Sequence, residues 1–131
     1  MQKLKSIIVL GAGEHGNVVK NIFKHGRRDI FFLDDLVKST FVLGKLSSYE
    51  LFSSNKYDFF VGIGNNLLRK KWIVKLIQNR KNLVNAIHPN CYIEKEVKIG
   101  RNVMVGANSY INTNTLIGDG VIINNSCVIE H

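Results

Sequence analysis

Proline occurs once, at Pro89, and cysteine twice, at Cys91 and Cys127. No apolar run approaches the roughly 18 residues that a transmembrane helix needs. The stretch Ile7 to Leu10 is also far too short for the apolar core of a secretory signal. These absences predict a soluble, cytoplasmic protein with no membrane partner. A single proline beside eleven glycines argues against low complexity. No cluster has the spacing of a metal site, so no metal is expected. Aromatic residues interleaved with a basic run are missing too. The formal charge of +8 is scattered over Lys3, Lys5, Lys20, Lys24, Arg27, Arg28, Arg69 to Lys71, Lys75, Arg80 and Lys81. Without a stacking platform, that excess reads as a basic surface suited to phosphorylated small molecules rather than to nucleic acid.

What is present falls into two periods, with the change near His88-Pro89. From Ile87 onward a six-residue unit repeats seven times and an eighth begins. Its first position is always aliphatic: Ile87, Ile93, Ile99, Val105, Ile111, Ile117, Ile123 and Ile129. Its fifth is always small or β-branched: Cys91, Val97, Val103, Ser109, Thr115, Val121 and Cys127. Positions two to four are rich in Gly, Asn, Asp and Thr. This is the pattern of a hexapeptide β-helix. Positions one and five point inward, and the corner takes residues that tolerate positive φ. Three units close one triangular coil, so residues 18 apart stack at the strand spacing of about 4.8 Å. Cys91 and Cys127 then share a wall two coils apart, at roughly 9–10 Å, beyond the reach of a disulfide.

The first part alternates strands and helices. Ser6 to Leu10 reads as a buried strand, followed by the Gly11, Gly13, Gly16 loop. A helix then carries Val18, Val19, Ile22 and Phe23 on its apolar face, with Gly26 at its C-terminal cap. A second strand, Asp29 to Leu33, ends in Asp34-Asp35. That is a dinucleotide-type fingerprint in its proper strand, loop, helix, strand, acid context. The glycines let backbone approach a pyrophosphate, the helix N-terminus supplies N–H donors, and the acid accepts from ribose hydroxyls. Taken alone, the motif also fits an NAD site or a tight turn with no ligand. A third strand, Asp58 to Ile63, leads through Gly64-Asn65-Asn66 into a helix with Leu68, Trp72, Ile73, Leu76 and Ile77 inward and Arg69, Lys70, Lys71 and Lys75 on other faces. A fourth strand, Asn82 to Ile87, runs into the repeats. No segment remains to hold a substrate for hydride transfer, which counts against a dehydrogenase. The expected fold is an α/β half-Rossmann with a parallel sheet (residues 1–86) followed by a left-handed parallel β-helix (residues 87–131).

With both halves in view the chain resembles the sugar O-acyltransferase family: the sialic acid O-acetyltransferases and UDP-amino-sugar N-acetyltransferases of bacterial glycosylation. The residues that carry the resemblance are Gly11-Ala12-Gly13-Glu14-His15-Gly16 with Val18-Val19, Phe32-Leu33-Asp34-Asp35, Val42-Leu43-Gly44, Val61-Gly62-Ile63-Gly64-Asn65-Asn66 with Arg69, Ile87-His88-Pro89, and Ile122 to His131. The resemblance implies acetyl-CoA as co-substrate, a nucleotide sugar as acceptor, a homotrimer built through the β-helix, and a part in surface glycan biosynthesis. It implies His131 as catalytic base, Glu130 as its partner, and Asn124 as a residue that orients the acceptor. It also implies acceptor binding by Gly11, Gly13, His15, Gly16, Asp34, Asp35, Gly64, Asn65 and Arg69. The chemistry is coherent, because a neutral imidazole can take the proton of an attacking amine or hydroxyl near pH 7. Members of such a family continue for several more coils, whereas this sequence stops at His131. A truncated β-helix is therefore expected, with nucleotide-sugar binding retained and little or no transfer.

Overall fold

The computed structural model describes residues 4–131. Lys3, counted above in the basic surface, lies outside them. The chain runs β1 (Ser6–Leu10), α1 (Glu14–Phe23), β2 (Ile30–Leu33), β3 (Val42–Gly44), β4 (Tyr57–Val61) and α2 (Asn66–Gln78). Eight two-residue strands follow, from β5 (Ala86–Ile87) to β12 (Val128–Ile129).

The first six elements form a parallel sheet in the order β3-β2-β1-β4. Strand β1 is central and its last four residues are fully buried, as a run of β-branched and aliphatic side chains between two helical layers requires. The fourth strand is not the expected Asn82 to Ile87. That segment makes a single parallel bridge, Leu83 to Phe59, and the sheet's fourth member is β3 on the opposite edge. The ladder beyond Leu83 is taken over by a side chain. The buried Asn102 amide donates to the Val61 carbonyl at 3.1 Å and accepts from the Val61 N–H at 2.6 Å.

Two further expectations are corrected. Gly26 does not cap α1; a 3-10 turn over Lys24–Gly26 follows the helix, and Arg27 takes the left-handed conformation at φ 57°. On the helices, Val18 and Leu68 lie on exposed faces, whereas Arg69 is buried in the seam between α2 and the coils.

The repeats form coils with an 18-residue register. Ile93 pairs with Ile111 and Ile111 with Ile129, Ile87 with Val105 and Val105 with Ile123, and Ile99 with Ile117. From the second hexad onward the inward positions form one core: Val103, Val105, Ile111 and Ile123, with Ile93, Val97, Ile99, Ile117, Val121 and Ile129 packed on it. Corner position four is left-handed at Glu96, Asn102, Asn108, Asn114, Gly120 and Ser126. Cys91 and Cys127 face the same core with free thiols, and Ser109 occupies the coil between them. Burial raises the pKa of the Cys91 thiol.

One outer wall of the β-helix is covered. Ala86, Met104 and Ile122 point outward at position six and pack against Val19, Ile22 and Phe23 of α1. Leu116, Tyr92 and Val128, at the same position on the other two walls, are exposed.

Candidate functional site

The glycine loop between β1 and α1 lies at the C-terminal edge of the sheet, and each glycine there has its own reason. Gly11 adopts φ +102°, and a Cβ on it would come within 2.8 Å of the Gly62 carbonyl. A Cβ on Gly16 would sit 2.0 Å from the Gly11 carbonyl. Both glycines are therefore imposed by backbone packing. Gly13 differs: an added Cβ would meet nothing within 4 Å. It is the N-cap of α1 and supplies no side-chain cap, so no capping side chain competes for the first amides of the helix, where an anionic group is favoured.

Asp34 and Asp35 shape this edge. Asp34 accepts from the Ala12 amide at 2.8 Å with one oxygen, and from the Leu36 and Val37 amides, both at 2.8 Å, with the other. Burial pushes its pKa up, but the three N–H donors outweigh that, and the carboxyl sits below its ordinary value. Asp35 accepts from the Leu46 amide at 2.9 Å. Across the sheet, Asn65 caps α2 by accepting from Leu68 at 3.0 Å. Gly64 stands next to His15; a Cβ there would be 3.7 Å from that of His15.

His15 is half-buried on the first turn of α1. Its Nε2 is buried and has no hydrogen-bond partner among the described residues. Burial, and then the charge of Arg69, lower its pKa, so the ring is neutral at pH 7. A buried imidazole nitrogen without a partner is costly, and a ligand that reaches it relieves that cost.

Arg69 does not point into this space. Its Nε donates to the Gly120 carbonyl at 2.8 Å, Nη1 to the carbonyls of Ile63 (3.1 Å) and Gly64 (2.9 Å), and Nη2 to Asn66 Oδ1 at 2.7 Å. It stitches the β4–α2 loop to a corner of the β-helix.

The structure thus gathers Gly11, Gly13, His15, Gly16, Asp34, Asp35, Gly64 and Asn65 at one sheet edge, with Arg69 behind them. Asn124, Glu130 and His131 lie apart, exposed on the last coil. Among the described residues no hydrogen bond joins Glu130 to His131. Instead, Glu130 accepts from Asn112 Nδ2 at 2.8 Å, one coil earlier. Asn112 in turn accepts from the Thr113 amide, and Tyr110 donates to Glu94 at 2.9 Å. The hydrogen bond to Glu94 leads the causes that raise the Tyr110 pKa, so the phenol keeps its proton. The Glu94, Asn112, Glu130 row was visible as an 18-residue spacing but carried no motif of its own. Among the described residues, no group of three or more His, Cys, Asp or Glu could hold a metal ion.

Residues 6–76, more than half of the chain, match the PglD N-terminal domain family. Residues 85–113 and 96–131 match the bacterial transferase hexapeptide family, described as six repeats. The chain belongs to the hexapeptide-repeat sugar acetyltransferase family. The coils of this family member are accordingly those of a left-handed β-helix. The acetyltransferase domain of PglB from Neisseria gonorrhoeae, solved in complex with acetyl coenzyme A, superposes with a TM-score of 0.93 at 27% identity. PerB from Caulobacter crescentus, solved with CoA and GDP-perosamine, gives 0.89 at 29% identity. Each match covers 98% of this chain, but the chain spans only 66% of the PglB domain and 64% of PerB. WeeI from Acinetobacter baumannii shares the fold, with a TM-score of 0.80 at 20% identity over 97% of this chain and 67% of its own length.

Proposed function

We propose that this chain holds a nucleotide-activated amino sugar, in surface glycan biosynthesis, for transfer of an acetyl group from acetyl-CoA to the sugar amine. O-acetylation of a sialic acid is the close variant. One observation carries the reading: helix amides without a side-chain cap at Gly13 stand beside the partnerless, neutral His15 Nε2. The amides suit a diphosphate, and the imidazole suits a polar group of the sugar.

In this reading residues 1–86 hold the acceptor and residues 87–131 present the base. Gly11, Gly13 and Gly16 bring backbone to the diphosphate, with Asp34, Asp35, Gly64 and Asn65 around the nucleotide. Arg69 acts from behind, by fixing the loop. His131 takes the proton of the attacking amine, steadied by Glu130, while Asn124 orients the acceptor. The new C–N bond forms at the thioester carbonyl, the C–S bond breaks, and the proton passes to the departing thiolate. That PerB was solved with CoA and a GDP-sugar, and the PglB domain with acetyl-CoA, supports this assignment of donor and acceptor.

The β-helix assembles as a homotrimer in this reading, because its two uncovered walls expose Tyr92, Val128 and Leu116. Glu94 and Glu130 on one wall suit Lys98 on the wall of a neighbour. A cytoplasmic location belongs to the same reading, and the two free thiols support it.

The test is calorimetric titration of this chain with UDP, GDP, NAD and CoA in parallel. Saturable binding of UDP or GDP, weakened by His15→Ala for the intact sugar nucleotide, is the expected result. Tight NAD binding without UDP or GDP binding overturns the assignment. Thiol release from acetyl-CoA, lost in His131→Ala, then tests the base.

A further inference from the structure

Helix α2 has a face that none of the other described residues covers. Between Asp58 and Glu94 the chain contains no acidic residue, yet it carries Arg69, Lys70, Lys71, Lys75, Arg80 and Lys81. The inward side of α2 buries Arg69, Ile73 and Leu76. On the opposite side Leu67 is 80% exposed and Val74 44% exposed, and Gln78 continues the line. At about 100° per residue these three form a narrow ridge, roughly 17 Å long at 1.5 Å per residue from Leu67 to Gln78. Lys70 flanks the ridge on one side, and Lys71 and Lys75 flank it on the other.

We propose that this face docks on an anionic phospholipid surface, with Leu67 and Val74 entering the interface and Lys70, Lys71 and Lys75 on lipid phosphates. Asp119 shares a pocket with Lys70 and Val74, but the lysines of α2 outnumber it, and that excess of positive charge is drawn to anionic headgroups within a Debye length. Leucine at the crest gains by leaving water, while lysine stems lie along the apolar boundary and keep their ammonium groups outside. Nucleic acid is the competing polyanion. Its single strands are held by exposed aromatic or guanidinium planes, and this face offers neither. Trp72 is half-buried, edge-on to Tyr49, with Lys75 over its ring at 5.1 Å, and Arg69 is buried. The contact is peripheral: no helix among the described residues is long and apolar enough to cross a membrane. It goes beyond the expectation of no membrane partner by adding a peripheral contact.

The test is sedimentation of the full chain with vesicles of phosphatidylcholine, with and without phosphatidylglycerol, at low and high salt. Binding to the anionic vesicles only, released by salt, is expected. Lys70→Gln with Lys71→Gln lowers the partition about 30-fold, from about 1 kcal/mol per lysine. Leu67→Ser lowers it by a smaller factor that stays constant as salt is raised over the range in which binding is still measurable. Circular dichroism matching the parent chain shows that the variants fold. Absence of binding to anionic vesicles, equal binding to neutral ones, or an unchanged partition in the folded double variant overturns the proposal. So does displacement of the vesicles by a single-stranded oligonucleotide, which assigns the face to nucleic acid.

Discussion

The two halves meet their backbone constraints in opposite ways. In the α/β half the left-handed conformation follows each helix, at Arg27 and Arg80, but the special positions of the glycine loop each occur once. Gly11 needs a positive φ, and Gly16 must let Gly11 approach to a distance that no Cβ allows. In the β-helix one left-handed corner recurs six times and is filled by Glu, Asn, Gly or Ser. A constraint met once depends on a particular residue. A constraint met in every coil depends on the pattern, and identity at any one corner matters less. The candidate acceptor site lies in the first kind of structure and its scaffold in the second.

The largest effect that this contrast predicts is at Gly16. Gly16→Val places carbon against the Gly11 carbonyl, costs more than about 4 kcal/mol, and removes both the cooperative thermal transition and nucleotide binding. A normal melt in that variant would sink the first half of the comparison. Asn102 and Asn114 sharpen the second half. Both are corner asparagines, at φ 58° and 59°, but Asn102 also closes the ladder on Val61. Asn102→Ala strands two buried backbone groups and costs about 3 kcal/mol in urea unfolding. Asn114→Ala, exposed, costs about 1 kcal/mol. Equal losses would show that the junction contributes nothing.

A smaller effect depends on pH. The folded-state pKa of His15 lies below the unfolded value of 6.5. As pH falls through 6.5 the unfolded chain takes up that proton first, so stability declines until the folded ring also titrates. His15→Asn flattens this part of the curve in thermal melts, whereas a His25→Asn control leaves it in place. The smallest effect is at Glu96, a corner with φ 65°. Glu96→Gly relieves the left-handed strain and stabilises by about 1 kcal/mol or less.

The same contrast decides what was legible in the sequence. The coils were readable residue by residue, down to the wall shared by Cys91 and Cys127, because each unit restates the rule of the last. The glycine loop was readable because strand, loop and helix signals are local. What sequence alone did not show lies where a side chain replaces backbone. Asn102 looked like one corner among several, yet its amide takes the place of the expected fourth strand. Arg69 looked like a surface cation, yet it joins two elements 51 residues apart. Neither contact has a periodicity, so only tertiary packing reveals it. At the candidate base, the 18-residue spacing aligned Glu130 with Asn112, but the hydrogen bond between them needed coordinates.

Side chains join neighbouring coils in both directions. Asn125 caps the Ala107 amide and Asp119 the Arg101 amide, each reaching back one coil. Thr113 does the same for the Lys95 carbonyl. Others reach forward: Asn85 accepts from the Val103 amide and Ser109 from the Cys127 amide, so neighbouring turns complete each other, and the first is seated on α1 through Ala86 and Met104. On a ribosome, 18 residues take about one to four seconds. The coils can thus be laid down in order of synthesis, each stacking its strands on those of the coil before.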